Sequence, residues 1–124
     1  MTEPADFSRD ERFRKAERLL DRSDFLKTRR EGRRNQTEHF VVYARPNDRS
    51  HARLGVTAST RVGKATVRNW WKRRIREIFR RNKLAFPAGF DYVVIVRAEG
   101  GRAPFEVLRE ELLEALDRAP ATEE

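Results

Sequence analysis

The side chains with the greatest chemical capacity in this sequence lie in one run. Residues 61–83 hold Arg61, Lys64, Arg68, Lys72, Arg73, Arg74, Arg76, Arg80, Arg81 and Lys83 against a single acid, Glu77. Cations at this density bind anions rather than break bonds, and the guanidinium fork matches phosphate bidentately. A helix built only for solubility intersperses acids one turn away, because such pairs contribute ~0.2–0.5 kcal/mol and like-charge neighbours cost as much. Here only Glu77, one turn after Arg73 and one turn before Arg81, relieves the repulsion. A polyanion would relieve the rest on binding, so the expected partner is a nucleic acid.

Nothing in the chain adds a catalytic centre to that charge. The two histidines, His39 in a strand and His51 in a turn, lack metal-ligand spacing and read as ordinary sheet and surface residues. "RVGK" and "EGGR" each resemble part of a phosphate loop but lack its glycine and Lys-Ser/Thr spacing, so both read as turns. The carboxylates are scattered, with no close set for a two-metal site. The expectation is therefore no catalytic residue and no metal ligand in the chain itself.

At 124 residues, with 38% hydrophobic and 39% charged side chains, the chain suits one domain with one modest core. The formal charge is +8, yet outside residues 61–83 there are 18 basic and 19 acidic groups, so the excess is one focused patch. The basic residues are 23 Arg to 5 Lys. The absence of cysteine fits a reducing compartment. The N-terminus lacks an apolar signal region, and no apolar run approaches the ~18 residues of a membrane span. A soluble cytoplasmic protein without a membrane partner is expected.

The elements that must carry the patch follow from periodicity. Residues 1–17 read as a charged, flexible arm, with a capping-box match at Ser8 and Glu11. "RSDFLKTRREGRRNQ" reads as a short helix capped by Ser23 and stopped near Gly32. "EHFVVYAR" (38–45) and "ARLGVTAS" (52–59) read as strands whose spacing suits an antiparallel hairpin. Residues 66–82 then follow a helical period. Val67, Trp71, Ile75, Ile78 and Phe79 form a core stripe, opposite Lys72, Arg73, Arg76, Arg80 and Lys83. "DYVVIVRA" (91–98) reads as a buried strand, and its long link back to 52–59 permits parallel pairing. Pro104 opens a last helix with Phe105, Leu108, Leu112 and Leu116 inside and Glu106, Glu110, Glu111 and Glu114 outside. The order α, β, β, α, β, α gives a single α+β domain over 18–119, followed by a tail at 120–124.

The run "RLGVTASTRVGKATVRNWWKRRIREIFRR", with "RSDF" and "FVVYAR" before it and "GFDYVVIVRA" after it, resembles the protein subunit of bacterial ribonuclease P. The resemblance implies a central sheet of about four strands packed by three helices, with a left-handed βαβ crossover through the basic helix, against the usual right-handed preference. It also implies an RNA-binding subunit that assists a catalytic RNA, with magnesium, in removing the 5′ leader of precursor tRNA. Lys64, Arg68, Asn69, Lys72, Arg73, Arg76 and Arg80 would then bind the ribonuclease P RNA. Phe25, Arg29, Tyr43 and Arg61 would line a cleft for the precursor tRNA 5′ leader. The protein alone is expected to be a monomer.

Several roles stay open at this level. Arg68 lies near the edge of the core stripe and can brace the turn instead of contacting RNA; Asn69 can read RNA or stabilise the helix start. Tyr43 can stack on a leader base or pack against the first helix. Trp70 stands where the family commonly has a basic residue, and either stacks under Arg74 or stacks on an unpaired base. Arg29 stands where the family commonly has an aromatic, so a phosphate contact replaces a stacking surface there. A ribosomal or ribosome-assembly RNA-binding protein is the alternative function. A self-sufficient nuclease is disfavoured by the scattered acids.

Overall fold

Helix α1 (Arg22–Glu31) begins where the Asp21 side chain accepts the Ser23 backbone N–H at 2.8 Å, and it stops at Gly32, whose N–H reaches the Thr28 carbonyl. Asp21 and not Ser23 is therefore the cap; its carboxylate also faces the positive end of the helix dipole. These contacts belong to a computed structural model that describes residues 12–98 and 101–118. The Ser8–Glu11 match and the 120–124 tail lie outside the described residues.

Four strands form one sheet in the order β1-β2-β4-β3: β1 (Arg33–Gln36), β2 (Phe40–Pro46), β3 (Arg53–Thr57) and β4 (Phe90–Val96). The expected hairpin between 38–45 and 52–59 does not form, because β4 lies between them, antiparallel to β2 and parallel to β3. The cause is visible in β4 itself. Asp91 to Val94 are all buried, so both faces of this strand need cover, and only a central position supplies it. The parallel pair is bridged by α2 (Ala65–Arg81), as the long link permits. Strand β1, "RRNQ", has no apolar alternation and is held instead by its ladder to β2 and by Asn35 Nδ2 donating to the Ala115 carbonyl at 3.0 Å.

The two faces of the sheet are covered differently. On one, Phe40, Val42, Tyr92, Val94 and Leu54 meet Trp71, Ile75, Ile78 and Phe79 of α2 and Leu108, Leu112 and Leu116 of α3 (Phe105–Arg118). The helical stripes expected in α2 and α3 thus point inward. Burying each large side chain stabilises the fold by about 1.5–3 kcal/mol, which anchors α2 with its basic side turned away from the core. On the other face α1 packs over β2 and β4. The ring of Phe25 approaches Gly55 so closely that a Cβ there would lie 3.1 Å from Cδ2 of that ring.

The segment read as a flexible arm is packed down where it is described. A short 3-10 turn, Lys15–Glu17, carries Glu17 into the interior, 2% exposed. Its carboxylate lies 2.9 Å from Lys83 Nζ, which also donates to the Arg12 carbonyl. Lys83 is therefore not part of the cationic face: α2 ends at Arg81, and Lys83 sits in the next turn, buried against Glu17. Phe13 meets Phe79 edge-on at 5.4 Å between ring centroids. Arg18 forms a bridge alongside Leu54 that extends the sheet beyond β3.

Candidate RNA interface

Helix α2 is introduced by a tight turn over residues 59–63, closed by Val62 N–H to Ser59 O and Gly63 N–H to Thr60 O. Gly63 takes φ +153°, and a Cβ there would meet Val67 at 3.0 Å. Arg68 Nε donates to the Gly63 carbonyl at 3.2 Å, so this guanidinium braces the turn, the second of its two expected roles. Lys64 is the N-cap residue and is exposed with no side-chain capping bond; Asn69 is also exposed.

Further along the helix Arg73 and Arg76 are exposed, and Lys72 and Arg80 half-buried. Glu77, the lone acid, is used within the helix: its Oε2 lies 2.8 Å from Arg81 Nη2 and 3.3 Å from Arg80 Nη2. Arg73, Arg74, Arg76, Arg80 and the one acid Glu77 line an open groove of about 360 Å³ whose other wall is Phe13 and Arg18. Arg18 was not among the expected site residues, since the sequence separates it from α2 by the whole of α1 and three strands. Partial burial, and then the nearby Arg18 charge, pull the Arg76 pKa below the usual guanidinium value. Arg18 thus adds its charge to the cationic side of α2.

The second group of expected residues gathers on the α1 side of the sheet. Tyr43, Val93 and Gly55 form one row across β2, β4 and β3, and Phe25 of α1 sits at the Gly55 end. At the Tyr43 end the Arg29 guanidinium lies 5.9 Å from the phenol ring centroid. The next row, Val41, Ile95 and Thr57, is only half-buried and continues beyond α1 towards the turn that carries Arg61. Arg29 and Tyr43 are thus brought together, Phe25 lies on the same face at the other end of the row, and Arg61 stands on a separate element at the open end. Tyr43 is half-buried, partnered by Arg29 and still accessible.

A polar cluster adds to the Phe25 packing that holds α1 in place. Arg53 Nε and Nη2 meet the two carboxylate oxygens of Asp91 at 2.8 and 2.7 Å, and Nη2 lies 3.3 Å from Asp24 of α1. The hydrogen bond to Asp91 leads the causes that raise the Arg53 pKa above its usual value. Asn47 Nδ2 supplies a further bond to Asp91 at 2.8 Å. Only the strand assignments could have hinted at this triad, because register places Arg53 and Asp91 opposite each other.

On the far edge, Glu38, His39 and Glu111 bring possible ligand atoms within 4.8 Å of one another. Their hydrogen bonding accounts for the cluster. Glu111 Oε1 meets His39 Nδ1 at 2.6 Å and Oε2 takes the His39 backbone N–H at 2.6 Å as well as the Thr37 hydroxyl. His39, 4% exposed, is therefore a buried clamp between α3 and the β1–β2 turn rather than an ordinary sheet residue. Trp70 has the Arg74 Cζ 5.0 Å from its ring centroid, the first of its two alternatives.

A mixed four-stranded sheet with a cationic helix on one face and Phe25, Arg29 and Tyr43 on the other fits an RNA-binding α+β protein. The ribonuclease P family model matches residues 13–120. The chain is 48% identical over 112 residues to the ribonuclease P protein component of Thermotoga maritima, spanning 87% of this chain and 96% of the relative. To that of Citrifermentans bemidjiense it is 38% identical, over 86% and 90%. The solved structure of the RNase P protein from Thermotoga maritima superposes with a TM-score of 0.75 at 49% identity, over 82% of this chain and 96% of that one. The Staphylococcus aureus RNase P protein gives 0.74 at 31%, over 83% and 94%. The chain belongs to the ribonuclease P protein family. It is the protein subunit of the endoribonuclease that matures tRNA 5′ ends, its partner is the ribonuclease P RNA, and catalysis resides in that RNA. The relatives give no support to the ribosomal alternative. No helix among the described residues is long and apolar enough to cross a membrane.

Proposed function

We propose that the two faces of this protein bind two different RNAs. The α2 face, with Lys64, Asn69, Lys72, Arg73, Arg76 and Arg80 and with Arg68 bracing its first turn, holds the ribonuclease P RNA; the cleft of Phe25, Arg29, Tyr43 and Arg61 holds the single-stranded 5′ leader of precursor tRNA. The observation that carries this reading is the half-buried row Val41–Ile95–Thr57, an accessible floor of two aliphatic side chains and one hydroxyl beside the Tyr43–Val93–Gly55 row with its aromatic and arginine neighbours. Such a floor suits unpaired bases, and the arginines suit the phosphates between them. Magnesium acts with the catalytic RNA, and fixed protein charge lowers the amount required where two polyanions meet. The working form is a single copy of the chain, in the cytoplasm.

The test separates the faces. Holoenzyme assembled with Phe25→Ala/Tyr43→Ala is expected to lose its preference for leader-bearing over leaderless tRNA while RNA-subunit affinity stays at the wild-type level. Equal loss for both substrates would reject the cleft assignment.

A further inference from the structure

Two guanidinium groups lie over the Trp70 ring, and only one comes from α2. Arg74 Cζ is 5.0 Å from the ring centroid, and so is Cζ of Arg102, from the segment leading into α3. The indole stands edge-on to Trp71, with ring centroids 5.0 Å apart and planes at 90°, and Trp71 is a core residue, 2% exposed. The core thus fixes Trp71, Trp71 fixes Trp70, and Trp70 holds two cations no more than twice that centroid distance apart.

Neither arginine meets a carboxylate among the described residues, although α3 presents several acids nearby in sequence. The ring's negative face attracts each cation and leaves their mutual repulsion in place. The tips of both side chains keep their N–H forks, Arg102 being exposed and Arg74 half-buried. A pre-positioned pair of forks loses less rotamer freedom on meeting phosphate than two free side chains would.

We propose that Arg74 and Arg102, braced on Trp70, form a phosphate-binding locus for the ribonuclease P RNA that extends the α2 face across to the start of α3. This rests on the reading of α2 as the RNA-subunit face. Arg102 has no neighbour in sequence that marks it, and only the fold brings it to α2.

The experiment measures affinity of the full chain for a bacterial ribonuclease P RNA across a salt series. Arg102→Ala and Arg74→Ala are each expected to weaken binding about three- to tenfold and to reduce the log–log salt slope by about 0.7–0.9. Arg102→Lys keeps the slope, and Trp70→Leu weakens binding with little change in slope. The proposal is overturned if Arg102→Ala binds with wild-type affinity and slope while Arg73→Ala is weakened, or if only binding of the leader-bearing tRNA changes. Loss with Trp70→Leu alone would make the indole a base platform and overturn it too. If Arg73→Ala also has no effect, the α2 reading itself falls.

Discussion

Arg53 and Asp91 form a two-point ion pair, at 2.8 and 2.7 Å, with Asp91 wholly buried on the α1 side of the sheet. The same guanidinium reaches Asp24, so one side chain joins β3, β4 and α1. Arg53→Met strands a buried carboxylate with Asn47 as its remaining partner. Chemical denaturation should show a loss of about 3–5 kcal/mol. Replacing Arg53 and Asp91 together by apolar residues should recover much of it.

Gly55 sets the distance between α1 and the sheet. Gly55→Ala introduces a Cβ 3.1 Å from the Phe25 ring and 3.3 Å from Leu19 Cβ. The ring must shift, at a cost of about 1–3 kcal/mol, typical of overpacking. Leader affinity should fall while RNA-subunit affinity holds, as binding titrations with each RNA would show.

Lys83 separates charge count from charge placement. Its pair with Glu17 is buried, at 5% and 3% exposure, so Lys83→Met should lower stability by about 3–5 kcal/mol. The salt slope for RNA-subunit binding should remain that of the wild type. Arg73→Ala should do the reverse, leaving the melting temperature nearly unchanged and reducing the slope by about 1.

The clamp at Glu111 makes part of the stability pH-dependent. Burial would raise this carboxyl's pKa, but hydrogen bonds from Thr37, from the His39 backbone and from its ring outweigh it, so the net shift is downward from the ordinary 4.5. A depressed folded-state value means that the unfolded chain binds the proton first. Stability from Glu111 is thus complete above about pH 4.5 and falls as the pH drops towards the folded value. Glu111→Gln should be less stable at neutral pH and should flatten the decline below that point. An unchanged acid limb would contradict the clamp.

Much of the architecture could be read from periodicity, because α2, α3 and β4 each bury an apolar pattern of the right period. The misread features are those in which distant chain segments compete. Strand β1 has no apolar code, and β2 and β3 looked like neighbours until β4, apolar on both faces, took the place between them. At the candidate site, Arg73 and Arg76 stand out by helical phase alone. Arg18 and Arg102 do not, since each reaches α2 only through the packing of Phe13 and Trp70. Lys83 leaves the cationic face for a related reason: one residue separates it from the end of the helix, and Glu17, far back in the chain, determines its direction.

On the proposed reading, fixed charge on α2 substitutes for magnesium where the RNA subunit and its substrate meet. The most direct test is the magnesium dependence of leader removal by a bacterial ribonuclease P RNA, alone, with this protein, and with Arg73→Glu/Arg76→Glu. The wild-type chain should support correctly placed cleavage at magnesium concentrations too low for the RNA alone, and the charge-reversed chain should not. Equal stimulation by both proteins, or none by either, would contradict the account.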